Sequence, residues 1–164
     1  MIRKLADHEL FSIKKNLPQV KNQLYKDREL YHKICISIFD KWLDKDECEK
    51  IYETNPTILA DWRGKLENVI NEFYKLTPIY LWRHKNNYRI IFYKPNDLQH
   101  LQNKCNIKSQ TWSSGHRYDL LMPEYSAIYS EEFDWTNIIW YIDFKKIEPL
   151  LDAVKKSGLY ILPQ

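Results

Sequence analysis

With 164 residues, 44% hydrophobic and 29% charged, only three glycines and a formal net charge of +3, the chain has the composition of one globular domain, residues 1–164. That balance excludes a disordered polar chain. Cys35, Cys48 and Cys105 are odd in number and form no CxxC pair, which excludes a disulfide framework and a zinc knuckle and leaves reduced thiols as the expectation.

Charges run through the first sixteen residues, and no uncharged run approaches membrane-spanning length, so no membrane association is expected and a cytoplasmic location follows. Leu5, Leu10, Phe11 and Ile13 give a first helix from Ile2 to Asn16, stopped at Leu17-Pro18 because the residue before proline is pushed away from helical geometry. Val20, Leu24, Tyr31, Ile34, Ile38 and Trp42 recur at spacings of three, four or seven and predict a long helix from about Pro18 to Leu43, with a possible break at Lys26–Glu29. Asp44 and Glu47 stand at the two positions of a capping box, predicting a short helix to about Thr54. After Asn55-Pro56, a helix capped by Thr57 or Asp61 carries the stripe Leu59, Trp62, Leu66, Val69, Ile70, Phe73 and Leu76. Gly64 lies within it, tolerated or used for close packing.

After Pro78 the period becomes strand-like. Ile79–His84 and Tyr88–Lys94 are rich in β-branched and aromatic residues and flank Lys85, Asn86 and Asn87, a hairpin pattern. Pro95-Asn96-Asp97 opens a short helix, and Ile107–Met122 reads as a loop or irregular edge strand. Tyr125–Ser130 and Thr136–Ile142 form a second hairpin with one buried and one mixed face, joined by Glu131-Glu132-Phe133-Asp134-Trp135. Asp143 starts a last helix, Gly158 ends it after Lys155 and Lys156, and Leu159–Leu162 is a closing strand. The fold class is α+β, with N-terminal helices followed by an antiparallel sheet of four or more strands and one or two late helices.

Charge is divided along the chain. Arg83–Arg117 holds seven basic residues against Asp97 alone, whereas Tyr118–Asp152 holds eight acids against Lys145 and Lys146. If the two segments are apart, they make opposed faces that steer charged partners; if they are sheet neighbours, they neutralise one another.

The five histidines are scattered, and no HExxH, GxSxG or Gly-rich phosphate cradle is present, so no catalytic motif, cofactor or metal is expected. Glu131, Glu132 and Asp134 lack the ligand spacing of a calcium loop. Arg83, Lys85, Arg89 and Lys94 alternate with aromatics in a pattern that can hold phosphates and stack bases, although the same alternation serves solubility and edge protection alone. His84 or His116 with Arg89 or Arg117 are the candidates for a small hydrolase or transferase acting on nucleic acid. The remaining constellation is Tyr129, Glu131, Glu132, Asp134 and Trp135, whose carboxylates and aromatic anchors suit a cationic protein partner, or are a solvated turn over core aromatics.

The strand ending in Phe-Asp-Trp-Thr (133–136), the aromatic strand after it, the short helix and Gly-Leu-Tyr resemble small bacterial domains that include toxin-immunity proteins. The resemblance spans about residues 120–162 and extends to site positions only at Asp134, Trp135 and Thr136, because Asn137, Ile138 and Ile139 stand where such domains sometimes carry a histidine and an acid. It implies a cytosolic bacterial binding protein that neutralises a cognate toxin by occluding its active site. The alternatives are the small hydrolase or transferase and a nucleic-acid-binding module.

Overall fold

A computed structural model describes residues 5–24, 29–51, 54–85, 89–111 and 116–163. The architecture is α+β, with one five-stranded antiparallel sheet and a separate two-stranded hairpin. Among the described residues, no helix is long and apolar enough to cross a membrane.

Helix α1 (Asp7–Asn16) begins where the Glu9 carboxylate accepts the Ala6 backbone N–H at 2.9 Å, and it ends at Leu17, held out of helical geometry by Pro18. A single turn, α2 (Val20–Gln23), follows. The long helix expected from Pro18 to Leu43 does not form. Its second half is strand β1 (His32–Ser37), which lies inside the main sheet. Ile34 and Ile38, four residues apart, fit helical and strand periods equally, and Ile36 between them is the residue that decides. It is fully buried, so Ile34 and Ile36, two β-branched residues at a period of two, are satisfied on a strand.

Helix α3 (Lys45–Ile51) closes the expected capping box: Glu47 N–H donates to Asp44 Oδ1 at 2.9 Å and Asp44 N–H to Glu47 Oε2 at 3.0 Å. Helix α4 (Pro56–Leu76) starts earlier than expected, because Asn55 itself caps it by accepting Ile58 N–H at 3.0 Å, with Pro56 in the first turn. The cap is therefore Asn55, not Thr57 or Asp61. Leu66, Val69, Ile70 and Phe73 are its buried stripe, and nothing lies within 4 Å of a Cβ built on Gly64, so that glycine is tolerated and makes no close approach.

Strands β2 (Leu81–Lys85) and β3 (Arg89–Tyr93) form the first hairpin; Asn86, Asn87 and Tyr88 lie outside the described residues. Asp97 caps α5 (Leu98–Cys105) by accepting His100 N–H at 2.7 Å. The stretch read as irregular before Met122 ends in strand β4 (Asp119–Met122), which pairs with β5 (Ala127–Glu131); β5 pairs in turn with β6 (Thr136–Tyr141). Helix α6 (Glu148–Lys156) ends at Gly158, whose φ of +76° is the left-handed conformation that glycine adopts freely, and β7 (Tyr160–Ile161) closes the chain. The order across the sheet is β4-β5-β6-β1-β7. Mutual backbone hydrogen bonds of 2.9 and 2.8 Å between Tyr80 and Leu121 attach the β2–β3 hairpin beside β4.

Both faces of the sheet are covered. Ile34, Ile36, Leu120, Tyr129, Trp135 and Ile139 pack with residues of α4, α5 and α6, while Leu121 and Ile128 pack with Ile13, Leu17, Tyr31, Ile90 and Phe92. Strand β5 is buried throughout, which replaces the expected pattern of one buried and one mixed face.

Ile36→Ala is expected to cost about 2–5 kcal/mol in denaturant unfolding, the range for truncating a buried aliphatic side chain. A loss under about 1 kcal/mol, typical of an exposed substitution, would contradict the placement of β1 inside the sheet between β6 and β7.

Candidate functional site

The site of interest is the turn between β5 and β6. Glu132 N–H donates to Thr136 O and Thr136 N–H to Phe133 O, both at 3.0 Å, closing a tight reversal in which Asp134 and Trp135 have φ of 60° and 59°. Positive φ at both central residues is the requirement of a tight hairpin turn whose twist matches the flanking strands. Phe133 is 60% exposed, whereas Trp135 is 1% exposed and meets Trp62 edge-on at 5.4 Å between ring centroids. Asp is tolerated in this conformation; a bulky Trp is an outlier there, at a cost of about 1–3 kcal/mol.

This geometry corrects the sequence-derived contact set. Tyr129, Glu131 and Trp135 are interior residues, because β5 runs on through Glu131 and strand parity places residues 127, 129 and 131 on one buried face. Tyr129 hydroxyl accepts the Asn137 amide and packs edge-on against Phe73. Glu131 is held by a two-pronged Arg117 contact, Nε to Oε2 at 2.6 Å and Nη2 to Oε1 at 2.5 Å. Burial pushes the Glu131 carboxyl above its usual range, against the pull of Arg117. Glu132 is half-buried, accepting from Ser130 Oγ at 2.7 Å, and lies 3.5 Å from His116 Nδ1. Only Asp134 keeps an exposed carboxylate, and Phe133 stands beside it.

Folding brings to this turn a segment that sequence reasoning placed at the end of a helix. The loop after β1 carries Phe39 and Trp42; the Trp42 indole donates to Pro163 O at 2.9 Å while the residue stays 52% exposed. A pocket of about 100 Å³ opens between Phe39, Trp42, Asp134, Thr136 and Leu162. Asp40–Glu49 around it holds five carboxylates and two lysines. The available signal was Trp-Leu-Asp-Lys-Asp, an exposed aromatic leading straight into a helix-capping acid.

The basic hairpin behaves differently. Arg83, Lys85 and Arg89 are exposed and Lys94 is half-buried, while Tyr80, Phe92 and Tyr93 point inward. Trp82 donates its indole N–H to Asp119 Oδ2 at 2.9 Å and meets His84 edge-on at 5.2 Å. The aromatics that were to stack bases are thus core or hydrogen-bonded among the described residues, and the alternation follows burial.

Between this hairpin, α5 and the start of β4 lies a cleft of about 440 Å³ lined by Arg83, His84, Lys104, His116, Arg117 and Asp119. His84, His116 and Arg117 share it; Arg89 does not line it. His116 Nε2 is 3.1 Å from Asp119 Oδ2, and its Nδ1 is 3.0 Å from Glu131 O. Hydrogen bonding to Asp119, then to Glu132, pushes the imidazole up to about 10, so the ring is protonated at neutral pH. An imidazolium with both N–H groups engaged cannot act as a general base. Across the two charge blocks, His116 and Arg117 lie against Asp119, Glu131 and Glu132; of the seven Lys and Arg residues between Arg83 and Arg117, Arg117 alone is ion-paired with the acidic block among the described residues.

All three cysteines are free, and burial pushes the thiols of Cys35 and Cys105 upward, away from nucleophilic thiolate. Among the described residues, no group of three or more His, Cys, Asp or Glu is placed to hold a metal ion.

The structure thus defines an α+β protein with an exposed aromatic and acidic turn after β5 and a cleft, linked to it through the His116–Glu132 contact, whose lining carries Arg83, Lys104, His116 and Arg117 against Asp119. Comparison with protein-family models, curated proteins and solved structures returns no match.

Because the folded-state value of His116 lies above the ordinary 6.5, its stabilising contribution is complete below about pH 6.5 and is lost as the pH rises through about 10. The stability difference between the native chain and His116→Gln should therefore shrink across that window. A difference that stays flat would contradict the paired imidazolium.

Proposed function

We propose that this chain is a protein-binding protein of the toxin-immunity kind, bacterial and cytosolic, which neutralises a cognate toxin by covering its active site. The observation that carries the reading is the end of the molecule where Phe133 and Trp42, two large exposed aromatics on separate segments, flank the exposed Asp134. Fixed aromatic rings supply buried contact area at little entropic cost, and hot spots in protein interfaces are enriched in such anchors. The surrounding carboxylates of Asp40–Glu49 favour encounter with a basic surface, such as the phosphate-binding cleft of a nuclease.

The test is co-expression with the product of the neighbouring gene. That product alone should arrest growth, the chain should restore it, and the two should form a stoichiometric complex. Phe133→Ala and Trp42→Ala should each weaken the complex by about 30-fold or more, the effect of truncating an interface anchor worth ~2 kcal/mol. A harmless neighbour, or a complex indifferent to both truncations, would contradict the proposal.

A further inference from the structure

The pocket beside the turn has a chemistry narrower than general stickiness. It combines one carboxylate, Asp134, with two aromatic rings, Phe39 and Trp42, and a floor made by Thr136 and Leu162. Phe39 is braced from beneath by the Trp62 edge at 5.3 Å, and Trp42 is pinned through its indole N–H, so both rings are set before any partner arrives. The one cation on the rim, Lys41, is paired with the Glu47 carboxylate and does not answer Asp134. No ion pair to Asp134 occurs among the described residues, so its charge faces the pocket neighbourhood uncompensated. A volume of about 100 Å³ has room for several water-sized groups. That is the scale of one side-chain head group.

An aromatic face next to a carboxylate attracts a planar cation twice, through the ring quadrupole and through paired N–H···O bonds. Guanidinium suits this better than ammonium, because it stacks flat, is more weakly hydrated and offers donors in a fork. We infer that this pocket takes the guanidinium of an arginine side chain presented by the partner protein, lying on Trp42 and paired with Asp134. The inference rests on the binding-protein reading above for the identity of the partner, and on the pocket alone for the chemistry. An arginine in the phosphate-binding cleft of a toxin is the kind of group whose capture would disable it.

The pocket can be probed without any toxin. Titration of the native chain with N-acetyl-arginine amide, followed at the Trp42 indole N–H by NMR, should give a saturable shift in the millimolar range. The uncharged citrulline counterpart should give none. Asp134→Asn keeps a residue that accepts the left-handed backbone, so the turn is preserved while the charge is removed. It should weaken arginine binding by about fivefold or more. Absence of a saturable shift, equal shifts with citrulline, or an unchanged Asp134→Asn variant would each overturn the inference. Arginine binding without neutralisation of the neighbouring gene product would leave the pocket standing and remove the immunity reading; the reverse result would remove only the pocket.

Discussion

Everything at the exposed end of this protein depends on the packing of Trp135 beneath the turn that carries it. Burying an indole of about 150–250 Å² contributes roughly 4–6 kcal/mol at 25 cal/mol per Å². Against that stand the left-handed backbone at Trp135 itself, about 1–3 kcal/mol, and the buried indole N–H, which has no hydrogen-bond partner among the described residues and costs about 1–3 kcal/mol. Packing against Trp62 offsets both with a narrow margin, and so Phe133 and Asp134 face outward.

The second constraint is electrostatic. Arg117 and His116 lead into β4 from the basic half of the chain; Arg117 meets Glu131 and His116 meets Glu132 at the end of the neighbouring strand, while His116 also pairs locally with Asp119. A buried carboxylate such as Glu131 is costly to leave alone, and its two-pronged contact with Arg117 is what lets β5 bury a charge at its end. Held in this way, the His116 imidazolium is poorly suited to accept a proton.

Much of the fold was legible in the residues. The Asp44–Glu47 box, the stripe of α4, both hairpins and the Gly158 stop all follow from local rules, since each is decided by neighbours within a turn or two. The N-terminal half of the sheet was not, because Ile34 and Ile38 satisfy two periods and only long-range pairing of β1 with β6 and β7 selects between them. The site was half legible. Asp134 and Trp135 were in the expected contact set and Phe133 was not; which of the two aromatics faces out depends on two positive φ angles that the residue types do not announce, and Trp42 joins Asp134 only through the fold.

The most direct test of this arrangement is one ¹⁹F spectrum of the chain labelled with 5-fluorotryptophan, with each resonance assigned by substitution, recorded with and without a soluble paramagnetic agent. The account predicts that the Trp42 signal broadens while that of Trp135 does not. Equal broadening of the two, or a protected Trp42 beside an exposed Trp135, would contradict it.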